Sequence, residues 1–235
     1  MEERKHIVIL AAGDFPTHHI PLQALREADF VVCCDGAYSG MKNEGFGTKD
    51  CVVIGDGDSL PEQDRLLLGD RFIHVAEQDY NDLHKAMNWI SSEFGVRSLE
   101  LPECGSINSE LRTPNSELVT ILGATGKRED HTLGNISYLI TFAEEHPGID
   151  LEMLTDHGRF TAFRGRRTFA SFPGQQVSVF AADPTMPFSG SGLQYPLEEM
   201  KATRWWQATL NAALGDSFEL RSDGWLIVFQ TYQRP

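Results

Sequence analysis

Six short, unbroken apolar runs punctuate the first two-thirds of this chain: "HIVILAA", "FVVCCD", "CVVIGD", "RFIHV", "LVTILG" and "IDLEMLT". A strand with one wet face alternates polar and apolar residues, whereas a strand covered on both faces is apolar throughout, so these runs predict buried strands of a parallel sheet. Parallel strands need crossovers, and helical stretches lie between several of them. The clearest runs from Asn81 to Phe94, where Leu83, Met87, Ile90 and Phe94 recur on one face and Asp79 or Asn81 can cap the start. A second, roughly Thr132 to Glu145, places Leu133, Ile136 and Ile140 on one side. The expected class is α/β, a mostly parallel sheet with flanking helices.

After about Thr155 the texture changes. "RFTAFRG", "RRTFASF", "QQVSVFAA", "SFELRSD" and "GWLIVFQ" are short, partly alternating runs broken by Gly, Pro, Asp or Ser. They predict a small C-terminal antiparallel β-sandwich and a boundary near 150 to 158, giving domains 1–152 and 153–235. The polar, turn-rich stretch 101–117 reads as a surface excursion.

With 34 acidic against 20 basic residues the formal charge is −14, which disfavours a nucleic-acid partner. An anionic substrate would need an accompanying cation, whereas a cationic small molecule suits the overall field. The apolar run Ile7 to Ala12 is far too short to span a bilayer, and "MEERKH" lacks the form of a signal peptide, so no membrane contact and a cytoplasmic location are expected. Cys33, Cys34, Cys51 and Cys104 show no metal spacing and read as reduced thiols.

In an open parallel sheet, ligands bind outside the carboxyl ends of the strands. Asp35 ends one apolar run and Asp56 and Asp58 follow another; Asp79 and Asp82 lie beyond "RFIHV", and Asp130 lies beyond "LVTILG". Each stretch alone has an ordinary reading: "GDGDS" as a turn, "QDYND" as a helix cap. Together, on one sheet edge, these carboxylates would repel one another unless cations neutralise them. Oxygen ligands without a His or Cys pattern suit Mg²⁺ bound together with phosphate. "GATGKREDHTLGN" adds a glycine turn at a helix N-terminus, where backbone N–H groups can meet an anion, and Arg128, which can bind phosphate bidentately. His131 could serve as cap, core or site residue. The segment is neither a P-loop nor a dinucleotide fingerprint.

The ordered set "CDGA", "GDGDS", "QDYNDLHKA", "GATGKREDHTLGN" and "VSVFAADPTMPFSGSGLQYPL" resembles the thiamin pyrophosphokinase (thiamine diphosphokinase) family from about Ile7 to Phe229. The resemblance implies an α/β domain for ATP and Mg²⁺ and a β-sandwich for thiamine binding and dimerisation, with the site at a homodimer interface. It implies transfer of diphosphate from ATP to the thiamine hydroxyl, leaving AMP. Carried over by position, Asp56, Asp58 and Asp82 would hold Mg²⁺. Asp35 would support the metal or substrate, and Ser59, Gln78, Asp79 and Lys85 would flank the acids. Gly123, Thr125, Arg128, Asp130, His131 and Asn135 would form the next motif, with Tyr195 and Asn211 near thiamine.

This chain departs from the family pattern at Gly57, where Phe is usual, at Asn81, where Thr is usual, and at Leu210, where Ser is usual. Asp130 or Asp79 could accept the hydroxyl proton. Trp205 and Trp206 could add aromatic contact to thiamine, or lie in the core or a dimer interface. The competing expectations are a diphosphokinase for another alcohol, such as a hydroxymethylpterin, and a non-catalytic Mg²⁺-binding regulator of the receiver type.

Overall fold

The structure, a computed structural model, describes residues 5–77, 79–94 and 117–232. These fall into two compact units that divide after Asp156. Cys104, Gln78 and nearly all of the 101–117 excursion lie outside the described residues.

The first unit is built from β1 (His6–Leu10), α1 (His19–Glu27), β2 (Phe30–Cys34), α2 (Ala37–Met41), β3 (Cys51–Gly55), α3 (Glu62–Leu68), β4 (Phe72–His74), α4 (Asp82–Glu93), β5 (Leu118–Leu122), α5 (Glu129–Glu145) and β6 (Asp150–Leu154). Its strands pair in the order β6-β5-β1-β2-β3-β4, every pair parallel. All six coincide with the apolar runs of the sequence, because a strand covered on both faces must be apolar on both. On one face Val8, Leu10, Val31, Cys33 and Val53 pack with Leu25, Tyr38, Met41 and Leu68 from the helices. The alternate residues Ile7, Ile9, Val32 and Ile54 are equally buried, on the side where α4 crosses β1, β2 and β3. Cys33, Cys34 and Cys51 are free thiols in this core, and burial pushes the Cys34 thiol up.

Helix α4 buries Leu83, Met87 and Ile90 as its periodicity predicts, and of the two expected caps Asn81 is the one used: its side chain accepts the His84 N–H at 3.0 Å. Helix α5 differs from expectation. It begins three residues earlier, and it buries Leu139 and Phe142, while Leu133 is 52% exposed. The periodicity of Leu133, Ile136 and Ile140 is real, but tertiary packing selects the neighbouring stripe, where Tyr138 and Phe142 stack at 5.4 Å and His84 of α4 lies beside both rings.

The second unit comprises β7 (Gly158–Ala170), β8 (Gln176–Ala181), β9 (Phe188–Ser191), β10 (Leu197–Met200), β11 (Asn211–Ala212) and β12 (Ser217–Thr231). "RFTAFRG" and "RRTFASF", expected as two strands, are one, and so are "SFELRSD" and "GWLIVFQ". The breakers bend these strands instead of ending them: Gly165 has φ +86, and the pairing register slips opposite it, between Ser222 and Leu226. One half of β12 pairs with β9 and the other with β8, so two antiparallel layers share a pair of bent strands. Phe163, Phe169, Val177, Val179, Phe188, Phe218, Leu220 and Val228 fill the space between the layers. Trp205 and Trp206, for which a core position was one expectation, are instead 62% and 72% exposed. Among the described residues no helix is long and apolar enough to cross a membrane.

Candidate active site

From β1 the chain lays down β2, β3 and β4 to one side and then returns to place β5 on the other. Order reversals of this kind open a crevice at the carboxyl ends of the strands. Here the two loops at the reversal are zipped together. Ala11, Gly13 and Asp14 donate their N–H groups to the carbonyls of Leu122, Gly123 and Thr125 at 2.8, 2.7 and 2.9 Å, and Lys127 Nζ donates to Ala12 O at 2.7 Å. A cavity of about 210 Å³ remains between Leu10–Phe15, Gly36–Gly40 and Lys127. That is below the roughly 300–1,000 Å³ of ordinary ligand clefts.

The acids lie one and two strands away. Asp35 follows β2 with φ +38, and Asp56, Gly57, Asp58 and Ser59 follow β3. One carboxylate oxygen from each of Asp35, Asp56 and Asp58 falls within 4.8 Å of the others. Asp35 is 3% exposed; its Oδ2 accepts the Ser59 N–H at 2.8 Å, while its buried Oδ1 has no hydrogen-bond partner. Within the turn, Asp58 N–H donates to Asp56 Oδ1 at 3.1 Å and Ser59 Oγ to Asp58 Oδ1 at 2.8 Å. Burial pushes the Asp35 carboxyl above its usual range; the Ser59 N–H opposes this, and Asp58 and Asp82 add to it. A buried carboxylate oxygen without a donor, facing two further carboxylates, calls for a cation or a proton. Three oxygen donors of this hardness fit a divalent ion of the Mg²⁺ type.

Asp82 stands outside that trio. It lies on the first turn of α4 and pairs with Lys85 at 3.1 Å, Lys85 being only 8% exposed. Its charge nevertheless reaches Asp35. Asp79 is exposed, and its backbone N–H is held by the Glu77 carboxylate. Asn135 joins three segments: its amide donates to Ala124 O at 2.8 Å and its Oδ1 accepts from Asn81 at 3.3 Å. Gly123 has φ +63, and a Cβ there would lie 2.6 Å from Ala11 O, which explains glycine at the start of this turn. Arg128 forks onto Asp130 at 3.1 and 2.5 Å, both side chains exposed, and holds that carboxyl below its usual range. His131 is exposed on the first turn of α5, neither buried core nor N-cap.

In the β unit Asn211 is 3% exposed and fully engaged with backbone. Its Oδ1 accepts from Tyr195 N–H at 3.0 Å and Ala212 N–H at 2.9 Å, and its Nδ2 donates to Tyr195 O at 2.7 Å. Asn211 therefore builds the turn that presents Tyr195, whose side chain is 60% exposed. Leu210 beside it has φ +60 and is 75% exposed.

Sequence reasoning passed over two features of the α/β unit. The loop after β1, "AAGDFP", forms half of the zip and the wall of the cavity; its signal was a Gly-Asp turn at a strand end. Arg65, whose guanidinium donates to Gly57 O, carries no motif at all.

A parallel sheet whose carboxyl edge gathers three acids, followed by an antiparallel β unit, defines a two-unit α/β protein. Residues 22–151 match the family model described as "Thiamin pyrophosphokinase, catalytic domain", and residues 158–229 match "Thiamin pyrophosphokinase, substrate-binding domain". The chain belongs to the thiamin pyrophosphokinase family. It is 28% identical over 120 residues to Thiamin pyrophosphokinase 1 of Caenorhabditis elegans, a segment spanning 51% of this chain and 43% of that relative. Its fold matches thiamin pyrophosphokinase structures from Candida albicans (TM-score 0.77, 15% identity, 97% of this chain and 90% of that one) and Geobacillus thermodenitrificans (0.70, 21% identity, 97% of each).

Proposed function

We propose that this protein is a thiamine diphosphokinase: it transfers the terminal diphosphate of ATP to the hydroxyl of thiamine, giving thiamine diphosphate and AMP. The observation that carries this reading is the convergence of Asp35, Asp56 and Asp58 at the sheet edge of a chain whose two halves match the two domains of one family. In the reaction the thiamine oxygen attacks the β-phosphorus, a new O–P bond forms, and the bond to the α-phosphate oxygen breaks with AMP as leaving group. Transfer of this kind is mostly positioning and charge neutralisation.

Asp56 and Asp58 would hold the cation, with Asp82 the third ligand that the family pattern assigns and Asp35 the acid that clusters with them. Mg²⁺ bound there would neutralise phosphate oxygens that the acidic edge otherwise repels. Lys85 is kept beside the phosphates by Asp82. Arg128 reaches them by leaving Asp130, and Gly123 and Thr125 shape the turn that receives them. Asp79 or Asp130 takes the hydroxyl proton, and pairing with Arg128 weakens Asp130 in that role. Tyr195, on the turn built by Asn211, offers a flat face to the thiamine rings, whose thiazolium is a cation. Exposed Trp205, Trp206, Leu210 and Leu214 are surfaces that a second copy would cover in a homodimer. Nucleotide and metal belong to the α/β unit and thiamine and dimerisation to the β unit, and the protein works in the cytoplasm.

The test is AMP formation from ATP and Mg²⁺ with and without thiamine, the product identified by mass. Thiamine diphosphate appearing together with AMP only when thiamine is present is the expected result; neither appearing refutes the reading. Leu210, exposed where the family pattern has Ser, favours a second reading, a different acceptor alcohol. AMP release with a hydroxymethylpterin and none with thiamine would establish that alternative.

A further inference from the structure

The turn that carries Asp56 and Asp58 is held from a side that no ligand motif marks. Gly57 has φ +79, and its carbonyl accepts a hydrogen bond from Arg65 Nη2 on α3. The Arg65 guanidinium lies over the Phe72 ring, 5.4 Å from its centre, at the start of β4. A Cβ at position 57 would sit 2.8 Å from both Arg65 Nη2 and Phe72 Cζ, so the niche beside this turn is already filled by that stacked pair. Asp35, just after β2, holds the Ser59 N–H of the same turn. The turn is thus tied twice, once from β2 and once from α3.

The tie at Gly57 matters because the peptide it fixes joins the two acids. The Asp58 N–H on that peptide donates to Asp56 Oδ1 at 3.1 Å, so a rotation of the Gly57 carbonyl would break this bond and swing the carboxylates apart. Their mutual repulsion, and that of Asp35, favours such a rotation whenever no cation is bound. A guanidinium stacked on an aromatic ring presents its donors in a fixed plane, which a flexible ammonium does not.

We infer that Arg65 is a positioning residue for the cation site: by holding the Gly57 carbonyl against Phe72 it keeps Asp56 and Asp58 converged. The inference rests on the reading of these acids as cation ligands. It makes a prediction opposite to that of simple charge. Removing a positive group near a cation site should, by Coulomb attraction alone, tighten cation binding; removing a clamp should loosen it.

The experiment is Mn²⁺ binding, followed by the electron paramagnetic resonance of the free ion, to the wild-type protein, Arg65→Met and Arg65→Lys, each also melted thermally. Met keeps an apolar stem over Phe72 without the donor; Lys returns a donor and the charge. Loss of an outer partner of a metal site costs about 10- to 100-fold in affinity, so Arg65→Met should bind about 10-fold more weakly, with Arg65→Lys, whose ammonium restores a donor but not its fixed plane, recovering part of the loss. All three should melt within a few degrees of one another. Wild-type or tighter affinity in Arg65→Met overturns the inference, and so does a loss in Arg65→Lys equal to that in Arg65→Met. Absence of Mn²⁺ binding by the wild-type protein removes the cation site itself and this inference with it.

Discussion

Gly13→Ala should destabilise the α/β unit by prying apart the zip between the loops after β1 and β5. Gly13 does not have positive φ, so alanine is tolerated by the backbone itself. The obstacle is room: the new methyl would fall inside contact distance of the carbonyl oxygens of Gly123 and Thr125. Both are backbone atoms, and neither can swing away as a side chain could. Relief requires the loops to separate, which forfeits the hydrogen bonds Gly13 N–H to Gly123 O (2.7 Å) and Asp14 N–H to Thr125 O (2.9 Å). Each is worth about 1 kcal/mol. If the loops stay, the overpacking costs about 1–3 kcal/mol. The two routes together give about 1–3 kcal/mol, and at about 2–4 °C per kcal/mol for a chain of this size Tm should fall by about 2–12 °C. Gly134→Ala is the control, since a Cβ there meets nothing within 4 Å and α5 favours alanine over glycine. Circular dichroism melts decide the matter, and a Gly13→Ala Tm within about 2 °C of wild type would refute the steric reasoning.

Asp56→Asn and Asp82→Asn should each abolish AMP formation while the melt persists, because the amide keeps the shape of the carboxylate and loses its charge; full activity in both overturns the metal assignment. Asn211→Ala should release the Tyr195 turn, raising KM for thiamine while KM for ATP stays unchanged; a parallel rise in both would contradict the division of roles. Lys42, and after it Ser39, holds the Asp64 carboxyl below its usual range. A carboxyl depressed in the folded state stabilises above its unfolded pKa and loses that contribution as pH falls through the folded value. Asp64→Asn should therefore be less stable than wild type at neutral pH, with the gap closing below about pH 4; a gap that widens in acid would contradict the pairing.

The legible and illegible parts of this molecule differ in the range of the forces that set them. Strands buried on both faces declare themselves through composition, so all six parallel strands were readable, and with them the edge at which Asp35, Asp56 and Asp58 meet. Helix α4 was readable because its apolar stripe and its Asn81 cap are local. The inward face of α5 was not, because Leu133 and Leu139 are equally apolar and only the His84–Tyr138–Phe142 packing chooses between them. Gly165 and Asp223-Gly224 read as chain breaks, since sequence shows a breaker but not whether the partner strand bends with it. Arg65 was invisible for a related reason: a guanidinium that meets a carbonyl across a turn leaves no spacing rule behind.

The bent pair β7 and β12 also imposes an order on how this molecule can come into being. Gly158 lies opposite Thr231 and Ala170 opposite Ser217, while β8 and β9 both attach to β12. Until Ser217–Thr231 has been synthesised, β7 has no antiparallel mate within its unit and the two layers have no shared seam. The parallel sheet, by contrast, is complete once β6 has emerged at Leu154. During translation the α/β unit can close early, while in the β unit only the short β9–β10 and β8–β11 pairings can form before β12, so its layers depend on non-local contacts and close late. A nascent chain halted before Ser217 should accordingly yield a protease-resistant α/β unit and a digestible remainder, with resistance of the second half arriving only with β12.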